Sequence, residues 1–171
     1  MAFPFAVILG FGQGYQPVVS FNWGAKRWDR VRESYAFSAA EALLGAVLVG
    51  GLLALLARPA VGLFNKQADA EVLRLGMLSI RLQCLALPIH ALGSVVGMFY
   101  AGTGKAKAAL AINTARQGYC FFPVLYTLPL LLGINGVAAA QAAADLLSAA
   151  VIVPLGIGAV KLIRERAQTS E

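Results

Sequence analysis

Six polar side chains stand inside long apolar runs: Glu41, Arg81, His90, Arg116, Gln141 and Asp145. An ionisable group placed in a bilayer costs several kcal/mol unless it pairs or faces water, so each is a functional candidate by default. Asp145 lies about two to three turns into the last apolar run, and Gln141, four residues earlier, shares its helical face. Arg116 stands about two turns into the run before it. Such depth suits either a hydrogen-bonded structural pair of Arg116 with Asp145 or a path for ions and polar solutes. Arg81, about one turn into its run, reads as a side chain snorkelling to the interface. Glu41 is expected near a membrane surface and facing water. His90, two residues after Pro88, reads as a hydrogen-bonded packing residue, with proton sensing as the second reading because imidazole titrates near neutral pH.

These residues need long helices to position them. Of 171 residues, 59% are hydrophobic and only 13% charged, and the mean hydropathy is +0.73. Soluble domains carry about 45–50% apolar and about 25% charged residues. The composition excludes an ordinary cytoplasmic enzyme, a disordered tail and a secreted disulfide scaffold. A bilayer core needs about 20 mostly apolar residues per helix, and five runs qualify. They are Met1 to Trp23, Ala36 to Ala57, Gly76 to Ala101, Ala108 to Gly133 and Ile134 to Val160. The runs are continuous rather than alternating, which indicates helices and not a barrel. The fold expected is an all-α, polytopic bundle of about five transmembrane helices, with residues 1–171 as one membrane domain.

The net charge of +6 would suit a nucleic-acid binder, but the positions of the charges argue against one. Lys and Arg cluster in short loops, as topology signals do, and no polar face mixes them with stacking aromatics. Nine basic residues (Lys26, Arg27, Arg30, Arg32, Lys105, Lys107, Lys161, Arg164 and Arg166) fall on one side of the implied membrane. Three (Arg58, Lys66 and Arg74) fall on the other. The positive-inside rule then puts the N-terminus outside and the C-terminus in the cytoplasm, as about five spans require. The longest connection, Arg58 to Arg74, is expected to carry an interfacial stretch. Pro59 is expected to end the second span, and Asp69 to cap the next helix.

Other motifs carry little chemistry. Cys84 and Cys120 lie in apolar runs without nearby ligands, and a single His makes a metal site improbable. Gly102-Thr-Gly104-Lys105 lacks the upstream Gly and following Ser or Thr of a phosphate loop. It reads as a tight turn. No Ser–His or paired-carboxylate arrangement at a sensible depth suggests an enzyme, and no cofactor is expected. The first run lacks a basic start and a cleavage pattern, so it reads as a retained helix. Gly10 with Gly14, Gly93 with Gly97, and Ala138 to Ala144 offer flat faces for close helix neighbours. Pro17, Pro88, Pro123, Pro129 and Pro154 can bend the spans that hold them.

Taken in order, several segments resemble the C-terminal lobe of MATE (multidrug and toxic compound extrusion) transporters. They are Gly12-Gln13-Gly-Tyr-Gln16-Pro17, Asn22-Trp-Gly-Ala-Lys26 and Arg30-Val-Arg-Glu33. Further along stand Tyr100-Ala-Gly-Thr-Gly-Lys105, Arg116-Gln-Gly118 with Phe122-Pro123, Gly133-Ile-Asn-Gly136, and Gln141-Ala-Ala-Ala-Asp145-Leu-Leu-Ser148. The resemblance runs from about Gly10 to Val160, and the spans would correspond to helices eight to twelve. It implies a secondary antiporter of the bacterial inner membrane that expels organic, often cationic, drugs in exchange for sodium ions or protons. It also makes Gln13, Gln16, Pro17 and Asn22 family-motif residues.

Two departures qualify what the resemblance implies. The N-terminal lobe, the seventh helix and the first turns of the eighth have no counterpart here, which suggests a fragment, a truncated product or half of a split transporter. Some members also place an acidic cation ligand on the tenth helix, about three turns before the Gly motif that ends it. His90 falls near that position, and imidazole does not replace carboxylate oxygen for sodium. Besides a transporter lobe, two alternatives stand: an inactive structural remnant, and a small membrane protein that dimerises to rebuild a cavity.

Overall fold

Ala and Leu dominate the apolar runs, and both are strong helix formers, so every run folds as helix. The computed structural model describes residues 2–64 and 70–169, apart from the side chains of residues 2–9, 11, 12, 60, 63, 64, 116 and 117. Seven helices occur among them: α1 (Ala2–Gly24), α2 (Trp28–Leu55), α3 (Ala57–Phe64), α4 (Ala70–Gly102), α5 (Ala106–Gln117), α6 (Phe121–Leu132) and α7 (Ile134–Gln168). No strand is found among the described residues. By length and composition, α2, α4 and α7 are long and apolar enough to cross a membrane.

The expected fourth span is not one helix. It breaks into α5 and α6, of 12 residues each. At 1.5 Å per residue each is about 18 Å long, too short alone for a hydrocarbon layer of about 30 Å. Pro123 explains the break. Its ring excludes the carbonyl four residues back, and it has no N–H to donate there. It therefore fits only the first turn of a new helix, as the third residue of α6. Pro59 repeats this arrangement as the third residue of α3. The second span thus stops at Leu55, and the expected interfacial stretch is the eight-residue helix α3. The positions of Asn65, Lys66 and Asp69 lie outside the described residues.

Two turns at one end of the bundle share one geometry. After α1, Arg27 N–H donates to Asn22 O (2.9 Å) and Lys26 N–H to Trp23 O (3.1 Å). After α4, Lys105 N–H donates to Tyr100 O (2.9 Å) and Gly104 N–H to Ala101 O (3.2 Å). This is the Schellman cap, which needs a left-handed residue. Gly104 (φ +77°) and Lys26 (φ +55°) supply it. The Gly102–Lys105 segment is thus the tight turn its sequence suggests.

α4 is the central helix. It packs against α7, α2, α1, α5 and α3. Successive contacts of Arg74 with Asn135, Gln83 with Asp145, Gly93 with Ile152 and Tyr100 with Leu155 show that α4 and α7 run parallel. Tyr35 with Phe99, and Gly50 with Cys84, show that α2 runs antiparallel to α4. The largest buried cluster lies toward the end that holds both Schellman turns. There Phe99, fully buried, meets the rings of Trp23, Tyr35 and Tyr100 edge-on at centroid distances of 5.9, 5.4 and 5.4 Å. All nine basic residues grouped by sequence lie on the turns and helix ends at this same end of the bundle. α6 and α7 form a hairpin through Gly133 (φ +58°). A Cβ on Gly136 would stand 2.2 Å from Leu128 O, so the glycines of this motif allow the close approach of the two helices.

Candidate functional site

The deepest polar group is the Asp145 carboxylate, with no solvent exposure, eleven residues and about 17 Å along α7 from Ile134. From α4, Gln83 (8% exposed) donates through Nε2 to Asp145 Oδ2 at 2.5 Å. Gln141 Nε2 reaches Asp145 Oδ1 at 3.5 Å, the limit of hydrogen-bond reach. Ser148 is also buried, but its hydroxyl donates to the Asp145 backbone carbonyl at 2.6 Å. The cluster is therefore a carboxylate clamped across the α4–α7 seam by carboxamides. A buried carboxylate in this setting is costly unless hydrogen-bonded or neutralised. The arrangement can bind a proton on Asp145, or a hard cation through its oxygens.

Of the residues singled out by sequence, the structure brings Gln141 and Asp145 together. His90 is buried on the same α4 face as Gln83, seven residues and about 10 Å farther on, and its backbone carbonyl accepts from Ser94 Oγ at 3.1 Å. Arg116 is on α5, and its side chain, with the expected pairing to Asp145, lies outside the described residues. Glu41 is exposed, as expected, on a helix that starts earlier than the apolar run. α2 begins at Trp28 rather than near Ala36, so Glu41 stands thirteen residues and about 20 Å along it, exposed on the apolar outer face. Gln13, Gln16, Pro17 and Asn22 lie on α1, which contacts α2 and α4 but not α7 among the described residues. They are separate from the Asp145 cluster. Asn22 Nδ2 caps Val18 O at 2.8 Å, and a Cβ on Gly102 would press on Gln16 O at 3.1 Å. Gln16 thus lies at the α1–α4 contact, whereas Gln13 and Pro17 are exposed. Gly10 and Gly14 have no neighbour within 4 Å of an added Cβ, whereas Gly93 would meet Ile152 Cδ1 at 2.7 Å. Among the described residues, then, Gly93 alone of these four glycines makes a tight helix contact, while Gly97 has ordinary van der Waals neighbours at 3.6 and 3.7 Å.

Two functional-looking contacts escape sequence reasoning. Gln83 is the first; an uncharged amide in an apolar run was its available signal. The second is Arg74, whose guanidinium donates to both Glu71 oxygens (3.0 and 2.7 Å) and to Asn135 Oδ1 at 2.9 Å. It ties the starts of α4 and α7 together at the end opposite the nine basic residues. No group of three or more His, Cys, Asp or Glu able to hold a metal occurs among the described residues. Cys84 and Cys120 are free thiols, half-buried and buried.

Comparison with known proteins agrees with this architecture. The chain is 25% identical over 137 residues to the multidrug export protein MepA of Staphylococcus aureus strains MSSA476 and MW2. That match covers 79% of this chain and 29% of the MepA sequence, so the chain spans about a third of the relatives it matches. A crystal structure of the Vibrio cholerae MATE transporter VcmN in the bent form superposes with a TM-score of 0.82. It shares 17% identity and covers 96% of this chain and 37% of that one, so the likeness is one of fold. The MatE family model matches residues 1–127, and the chain belongs to the MatE family of membrane transporters.

Proposed function

We propose that this chain is the C-terminal lobe of a multidrug efflux antiporter. Paired with an N-terminal lobe, it exports small organic, often cationic, compounds in exchange for protons or sodium ions across the bacterial inner membrane. Alternating access works by two units rocking about a site near the midplane, and one lobe supplies one unit. The observation that carries the reading is Asp145: a fully buried carboxylate, about mid-depth, held between two parallel helices. In the proposed mechanism Asp145 takes up the coupling cation and releases it as the seam shifts, while Gln83 and Gln141 keep the carboxylate oriented. His90, buried on the same α4 face as Gln83, extends the polar path. The nine basic residues at one end support a cytoplasmic position for that end, with the N-terminus outside and the C-terminus inside.

Asp145→Asn removes the charge while keeping an oxygen for Gln83. In a two-lobed transporter that contains this lobe, expressed in an efflux-deficient bacterium, the variant is expected to reach the membrane in normal amount. It is expected to lose resistance and to accumulate a cationic dye. Normal export by Asp145→Asn overturns the assignment. Single-cysteine labelling should find the Lys105 turn accessible from the cytoplasm and Arg58 from outside; the reverse pattern overturns the orientation.

A further inference from the structure

At the end that carries the nine basic residues, the first turns of α2 and the last turns of α7 run antiparallel and enclose a groove of about 340 Å³. Its walls include Trp28, Asp29, Arg32 and Tyr35 from α2 and Val160 and Arg164 from α7. We propose that this groove holds the phosphate headgroup of an anionic phospholipid.

Four observations carry the assignment. Arg32 and Arg164 line it, and neither has a described carboxylate partner; against them stands one wall carboxylate, Asp29. The start of α2 is uncapped: Arg27 makes no side-chain bond there. Its first N–H groups therefore lack helical partners and present the positive end of the helix dipole. The Trp28 ring forms part of the groove wall, and tryptophan rings are enriched at the level of the headgroups. The fourth observation is depth. Arg164 stands thirty residues along α7 from Ile134, about 45 Å, which exceeds the hydrocarbon layer of about 30 Å and matches the level of the headgroups.

The order of side chains selects lipid over a free anion. Tyr35 is about one turn deeper than Arg32, and Val160 one turn deeper than Arg164. Cationic groups thus sit at headgroup level, with apolar walls directly beneath for the glycerol and the start of the acyl chains. Basic pockets between membrane helices bind anionic headgroups in this manner. Because the site depends only on this end reaching a headgroup layer, it holds whether or not the chain exports drugs.

The chain has two tryptophans, Trp23 and Trp28, both at this end, so its tryptophan fluorescence reports on the groove. Purified protein is reconstituted in phosphatidylcholine nanodiscs doped with phosphatidylglycerol brominated near the headgroup. Brominated phosphatidylglycerol is expected to quench at much lower mole fraction than brominated phosphatidylcholine. Arg32→Gln with Arg164→Gln should raise the half-quenching fraction about thirty-fold. Lys105→Gln with Lys107→Gln, equal in charge and off the groove, should leave it unchanged. Arg164→Gln alone, near the end of α7, gives a second reading if the double variant loses helicity by circular dichroism. Equal quenching by the two lipids, or an equal loss from the lysine pair, overturns the proposal. Displacement by millimolar inorganic phosphate overturns the lipid assignment and gives the groove to a free anion.

Discussion

Along the α4–α7 seam, Gly93 admits Ile152, Tyr100 Oη donates to Leu155 O at 2.9 Å, and Gln83 holds Asp145. On the outer face of α2, Leu44, Leu48, Leu52 and Leu55 stand 60, 63, 58 and 82% exposed. Both regions are apolar helix, yet only the seam demands particular residues. Lipid tails are as apolar as leucine, so burying a side chain against another helix gains little over leaving it in lipid. Close approach and interhelical hydrogen bonds decide which helices meet. The outer face needs only a composition; the seam needs shape and donors in register.

The contrast is broken most strongly by Gln83→Leu, which strips Asp145 of its cross-helix donor. The expected loss is about 2 kcal/mol, because a bond to a charged acceptor disappears inside the seam. Thermal unfolding in detergent measures it, and an unchanged midpoint would show that the seam does not rely on the clamp. Gly93→Ala tests shape instead of polarity. Its new methyl would lie 2.7 Å from Ile152 Cδ1, a flexible tip, so the expected cost is about 1 kcal/mol. Pairing it with Ile152→Ala should recover that cost, and strict additivity of the two changes would locate the strain elsewhere. The smallest effect belongs to Leu48→Ala on the outer face, expected within about 0.5 kcal/mol. A larger loss there would mean that the α2 face is as specified as the seam.

Much of this organisation is legible in the sequence. Hydropathy marks the helices, and basic clusters mark the turns. What escaped are features that depend on partners or on backbone detail. The break before Pro123 lies inside an apolar run, so hydropathy passes over it, although the proline itself carries the reason. The start of α2 is passed over because its first two turns, Trp28 to Tyr35, are charged and look like loop. They are the first turns of one 28-residue helix. Asp145 is found from its charge, while Gln83 is passed over because an amide in an apolar run raises no alarm until its carboxylate is seen opposite. The small-residue rule separates Gly93 from Gly10 and Gly14 only once the neighbouring helix is known.

The parallel course of α4 and α7 has a consequence in time. Parallel neighbours need a connection that travels back the full length of the pair, here α5 and α6, so the two ends of the clamp are 62 residues apart. At a synthesis rate of about 5–20 residues per second, Asp145 emerges about 3–12 s after Gln83. The antiparallel contacts of α2 with α4 need only residues already made, and they form first. α4 therefore waits beside α2 with one polar flank uncovered, and the arrival of α7 is the step that closes the lobe.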